Sequence, residues 1–144
     1  MKKMVIVLVL LSTGAVVSYG QCDKKVIITA SKTMYLGADS AVQRTEDEQT
    51  TVEFDKTNIT IIPGNSDHKM TGTVKSYACN WTNAFKDGKT AIKVAVTNDD
   101  GHAMNLTITI GGKDGKINFL AEVDDEPEKK IRLVVDKFEE KKTP

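Results

Sequence analysis

The sequence predicts an all-β fold: a single small domain of about eight antiparallel strands in an up-and-down meander barrel, or, as second choice, a two-sheet β-sandwich. Three observations carry this. Apolar and polar residues alternate with the period of a half-buried strand, most cleanly where Leu106, Ile108 and Ile110 face one way and Asn105, Thr107 and Thr109 the other. No segment sustains a helical apolar period. Short breaks rich in Gly, Asp and Asn separate the runs, and Asp87-Gly88 and Asp99-Asp100-Gly101 are the strongest hairpin signals, because such residues accept the positive φ that matches strand twist. Closing a meander into a barrel also removes its exposed edges.

Residues 1–20 read as a signal peptide. Lys2 and Lys3 precede the apolar run Met4 to Leu11, and Ser18-Tyr19-Gly20 offers small residues where a signal peptidase cuts. The run is short for a membrane span, so no transmembrane segment is expected after cleavage. The expected mature chain starts Gln21-Cys22 and is exported, to the periplasm or outside the cell. A lipid anchor on Cys22 is disfavoured, because Gln21 stands where such signals want a small residue. Cys22 and Cys79 are the only cysteines, and an exported chain favours a disulfide between them.

From there the domain, residues 21–138, takes shape in order. Lys25 to Leu36 is rich in β-branched residues and reads as a first strand, ended by Gly37-Ala38-Asp39-Ser40. Val42 to Phe54 follows, its polar centre Arg44 to Gln49 reading equally as solvated edge or irregular loop. Asp55-Lys56 turns the chain into Asn58 to Ile62, and Pro63 to Asp67 is loop by composition. The stretch Lys69 to Ile110 supplies three strands, with turns expected at Asp87-Gly88 and Asp99 to Gly101. Gly111 to Gly115 reads as the next hairpin turn and Lys116 to Val123 as the next strand. Asp124 to Pro127 breaks it before a last strand from Lys130 to Phe138, and residues 139–144 form a charged tail.

A meander fixes which connections share a rim. Those at 37–40, 63–68, 99–102 and 124–128 fall together, and those at 55–56, 86–88 and 111–115 fall at the other end. Cys22 and the Cys79 half of its strand belong to that second end, so the disulfide is geometrically permitted.

Without the leader's two lysines, acidic groups outnumber basic ones by two, and both signs are interspersed. No basic face marks a nucleic-acid binder. The pairs His68-Lys69-Met70 and His102-Ala103-Met104 each place imidazole and thioether two residues apart, on one face of a strand. That donor set suits Cu(I) or Ag(I) and resembles, in residue types, the chemistry of small periplasmic copper-handling proteins. Asp99-Asp100 and Asp124-Asp125-Glu126 lack the alternating oxygen pattern of a calcium loop. Ser66-Asp67-His68 has the letters of a catalytic triad but no nucleophile elbow, and Gly111 to Lys116 has the wrong spacing for a phosphate loop. No catalytic residues are assigned, and no enzyme or cofactor is expected.

In size and strand number the chain resembles the lipocalins, without their Gly-x-Trp signature on the first strand. The expected function is non-catalytic binding of a small apolar or amphipathic molecule in the barrel mouth, with Trp81, His68 and His102 as candidate ligand-binding residues. The alternatives are soft-metal binding through His68, Met70, His102 and Met104, or a structural role beside another envelope protein with no small ligand.

Overall fold

A computed structural model describes residues 21–64 and 69–141. Residues 1–20, read above as a signal peptide, and His68 therefore lie outside the described residues. Nine strands and no helix make up the described chain: β1 (Val26–Leu36), β2 (Val42–Glu46), β3 (Thr50–Phe54), β4 (Asn58–Ile62), β5 (Met70–Asn83), β6 (Asp87–Asn98), β7 (Ala103–Lys113), β8 (Lys116–Val123) and β9 (Glu126–Glu140). Every pairing is antiparallel, and consecutive strands are neighbours from β3 to β9. β9 returns to pair with β1 along the whole of β1, from Val26↔Glu140 to Leu36↔Lys130. β1 and β3 to β9 thus close an eight-stranded barrel. β2 is the extra strand: it pairs with Thr33–Leu36 of β1, and all five of its residues are exposed.

The inward face is continuous across registers. Val94 opposes Leu106, Ile92 opposes Ile108, and Ile108 opposes Ala121. Their outward neighbours Lys93, Thr97, Asn105 and Thr107 are polar, so the interior is apolar and the outside carries the charge. That is the reverse of a barrel facing lipid, whose outside carries the apolar band.

Three strands hold β-bulges that switch which residues point inward. β1 inserts Ser31 and β9 inserts Asp136, where register shifts occur between Ala30/Lys32 and Thr29/Ala30. The two extra residues bond to each other, the Ser31 hydroxyl donating to Asp136 at 3.1 Å. β5 shifts between Val74 and Ser76. One extra residue reverses the alternation beyond it. The inward set therefore runs Val26, Ile28, Ala30 and then Thr33 in β1, and Val135 and then Phe138 in β9.

Four sequence expectations need correcting. Asp87-Gly88 is not a turn: β5 continues to Asn83, the turn is Ala84–Lys86, and the Lys86 amide donates to the Asn83 carbonyl at 3.0 Å. Gly111 and Gly112 belong to β7, and the turn is Asp114-Gly115, both at positive φ (53° and 85°). The reason is shared. Trp81 pairs with Gly88, which pairs with Gly112, so the indole lies across two glycines whose absent Cβ atoms leave it room. β9 begins at Glu126 instead of Lys130, with residues 127–129 bulging between Val123↔Glu126 and Glu122↔Lys130. Nor is Glu139 the start of a tail: Glu139 and Glu140 pair with Ile27 and Val26, and Lys141 bonds Glu53 at 2.9 Å.

The base of the barrel is sealed. Cys22 is bonded to Cys79, with Cα atoms 5.9 Å apart. The β5–β6 hairpin runs past β4 and brings Trp81 and Phe85 onto Phe138, at ring distances of 5.5 and 4.8 Å. Gln21, nearly buried, accepts the Phe85 amide through its side-chain carbonyl at 2.7 Å.

Candidate functional site

At the opposite end, the inward faces of β1, β3, β4 and β7 to β9 do not meet. They leave a chamber of about 120 Å³ at the mouth. Its floor and walls are Leu106, Phe119, Ala121, Ile131 and Leu133, with Met104 and Val123 nearer the opening. The chamber follows from residue size. Ala121 stands where its rung neighbours carry Ile108 and Ile131, and the bulge in β1 brings the small Thr33 inward where alternation alone would bring Lys32 to the wall.

Polar groups are few, and they are grouped on the β1–β3 side. The Thr33 and Thr50 hydroxyls lie 3.4 Å apart and are buried. Above them the Tyr35 hydroxyl donates to Glu48 Oε1 at 3.0 Å. Burial first, then the hydrogen bond and charge of Glu48, push the Tyr35 phenol above its ordinary pKa, against the opposing effect of Arg44. Tyr35 is therefore a neutral donor across the physiological range. From β2, the Arg44 guanidinium lies 4.0 Å from the Tyr35 ring centroid and bonds Glu46 at 3.0 Å.

A more open vestibule of about 410 Å³ adjoins the chamber and shares Tyr35, Met104, Val123 and Ile131 with it. Leu36, Gln43, Arg44, Glu128, Lys129 and Lys130 complete its walls. Two larger concavities lie elsewhere, about 450 Å³ beside Phe85 and about 740 Å³ on the outer face of β5 and β6. Lys116, Asn118, Asp136 and Lys137 border the first, and Asn80, Thr82 and Lys89 the second. Only the chamber at the mouth combines nearly unbroken apolar walls with a small convergent polar group, the usual make-up of a small-molecule site.

Of the residues singled out on the sequence, Trp81 lies at the base, whereas His102, Met70 and Met104 lie at the mouth end. Trp81 is buried (3% exposed) at the base, far along its strand from the mouth, and its indole N–H donates to Thr90 at 2.7 Å. It acts as core there. His102 is exposed in the β6–β7 turn and its amide bonds Asn98. Met70 and Met104 both stand at the mouth end on the inward face, opposite Ile61 and Val96, and Met104 lines the chamber. Cys22 and Cys79 form the disulfide, and no free cysteine remains among the described residues.

Tyr35, Glu48, Thr33 and Thr50 escaped the sequence reading. Tyr35 and Thr33 lie beyond the bulge, where simple alternation gives the wrong face. Glu48 lies in the polar stretch that read equally as solvated edge or irregular loop, and it falls in the loop between β2 and β3. Compared with protein-family models, curated proteins and solved structures, the chain matches none, and its function is read from this site alone.

Proposed function

We propose that this is an exported, non-catalytic binding protein that holds a small apolar or amphipathic molecule in the mouth of its barrel. The observation that carries the reading is the apolar chamber at the mouth end of the barrel. The chamber, about 120 Å³, is a little smaller than the apolar cavity of about 150 Å³ that binds benzene, but it opens onto the vestibule, and the two together fall in the range of ordinary ligand pockets, roughly 300–1,000 Å³. The disulfide and the polar outer surface agree with export. The opposite end is stapled by the disulfide and packed with aromatic rings.

Benzene is the minimal probe. Titrated into the protein, it is expected to shift the methyl resonances of Leu106, Ile131 and Leu133 and leave those of Val26 and Ile28 unmoved. Ala121→Leu, which fills the chamber, is expected to abolish the shifts. Methyl shifts absent from the chamber, or unaffected by Ala121→Leu in a folded variant, count against the reading.

A further inference from the structure

The chamber's shape admits many apolar groups, but the charges at its opening are not neutral in their preference. Resting on the pocket reading above, we propose that the ligand is a cationic amphiphile: a short alkyl chain or single ring in the chamber, carrying a protonated amine held by Glu48 at the opening.

Glu48 borders the chamber itself, and its one hydrogen-bond partner among the described residues is the neutral hydroxyl of Tyr35. That bond uses Oε1, and Oε2 has no hydrogen-bond partner among the described residues. The basic groups around the vestibule are matched by carboxylates of their own. Arg44 bonds Glu46 at 3.0 Å, Lys129 bonds Glu126 at 3.0 Å, and Lys130 lies 3.8 Å from Glu122. None is left as a dedicated anchor for an anion.

The surroundings add to this. The described parts of the four connections at this rim carry Asp39, Asp99, Asp100, Asp124 and Asp125 against the single Lys69. Such a ring of like charge favours approaching cations and disfavours anions. The Arg44 guanidinium covers one face of the Tyr35 ring at 4.0 Å, so the carboxylate of Glu48, not that ring face, is the group that meets the ammonium. Size decides how the ligand is divided: about 120 Å³ takes one ring or a short chain, and the head must stay in the vestibule.

Three probes that share a phenethyl group test the inference: phenethylamine, phenethyl alcohol and hydrocinnamate, titrated into the purified protein and its Glu48→Gln variant, with binding followed by chamber methyl shifts. Phenethylamine is expected to bind at least about tenfold more tightly than hydrocinnamate, the scale of one charge-assisted hydrogen bond. Glu48→Gln keeps the acceptor for Tyr35 and is expected to cost the amine about tenfold while leaving phenethyl alcohol unchanged. If the alcohol or the acid binds as well as the amine, or if the amine keeps its advantage in Glu48→Gln, the charge preference is wrong and the pocket stands. If none of the three binds, the pocket reading and this inference fall together.

Discussion

A single hydrogen bond fixes the largest side chain of the base. Trp81 and Thr90 are 3% and 1% exposed, and the indole N–H has the Thr90 hydroxyl as its acceptor at 2.7 Å. A buried donor that loses its acceptor bears the full cost of its lost hydration, about 1–3 kcal/mol, whereas the net gain of the bond itself is smaller. Thr90→Val keeps the shape and removes the acceptor. It is expected to destabilise by that amount in chemical denaturation, while Thr90→Ser, which keeps the hydroxyl, should lose about 1 kcal/mol or less for its missing methyl. Equal stability of the valine variant and the wild type would show that the bond contributes nothing. Phe85, close by, is the residue where local preference yields to packing. It sits at φ 60°, a conformation costing roughly 1–2 kcal/mol for a side chain of this kind. Its edge contact with Phe138 and the Gln21 carbonyl on its amide oppose that cost.

At the scale of the strand, β7 contains a controlled comparison. A Cβ on Gly112 would lie 2.6 Å from Trp81 Cζ3 and 2.9 Å from the Lys86 carbonyl oxygen, whereas one on Gly111 would meet nothing within 4 Å. Neither glycine has the positive φ that would itself exclude alanine. Gly112→Ala is therefore expected to destabilise by about 1–3 kcal/mol through overpacking. Gly111→Ala should be neutral, or gain up to about 1 kcal/mol by restricting the unfolded chain. Equal melting temperatures for the two variants would refute the packing of the indole over Gly112. These glycines also mark where the sequence was legible and where it was not. β6 and β7 run without bulges, so Ile92, Val94, Val96, Leu106, Ile108 and Ile110 could be assigned to the interior from alternation alone, and the meander order followed from the turns. Gly111-Gly112 was misread because a glycine that makes room for an aromatic ring looks, in sequence, like a glycine that makes a turn. The mouth was misread for a different reason. Ser31, Asp136 and the shift at Val74/Ser76 are single-residue insertions set by a partner strand far away in the chain, so the inward positions of Thr33 and Tyr35, and hence the polar side of the chamber, have no local signature.

Over the whole molecule, rigidity and access are separated along the barrel axis. The base is closed by the Cys22–Cys79 bond, which spans 57 residues of sequence, and by the ring cluster of Trp81, Phe85 and Phe138. The mouth has neither, and its extra strand β2 is exposed throughout. Constraining a loop of that length removes unfolded-state entropy equivalent to about 4 kcal/mol, a large share of the 5–15 kcal/mol that typically holds a domain together. The double variant Cys22→Ser/Cys79→Ser is therefore expected to lose most of that amount in denaturant midpoint. Its native state should exchange amide hydrogens faster around Trp81 and Phe138. Because the chamber walls come from the other ends of β7, β8 and β9, its benzene-induced shifts at Leu106 and Ile131 should persist wherever the variant is folded. Loss of those shifts together with the disulfide, in a variant still folded by circular dichroism, would mean that base and mouth act as one unit and that the closed end shapes the site directly. Their persistence would show that the staple stabilises the barrel without tuning what the mouth holds.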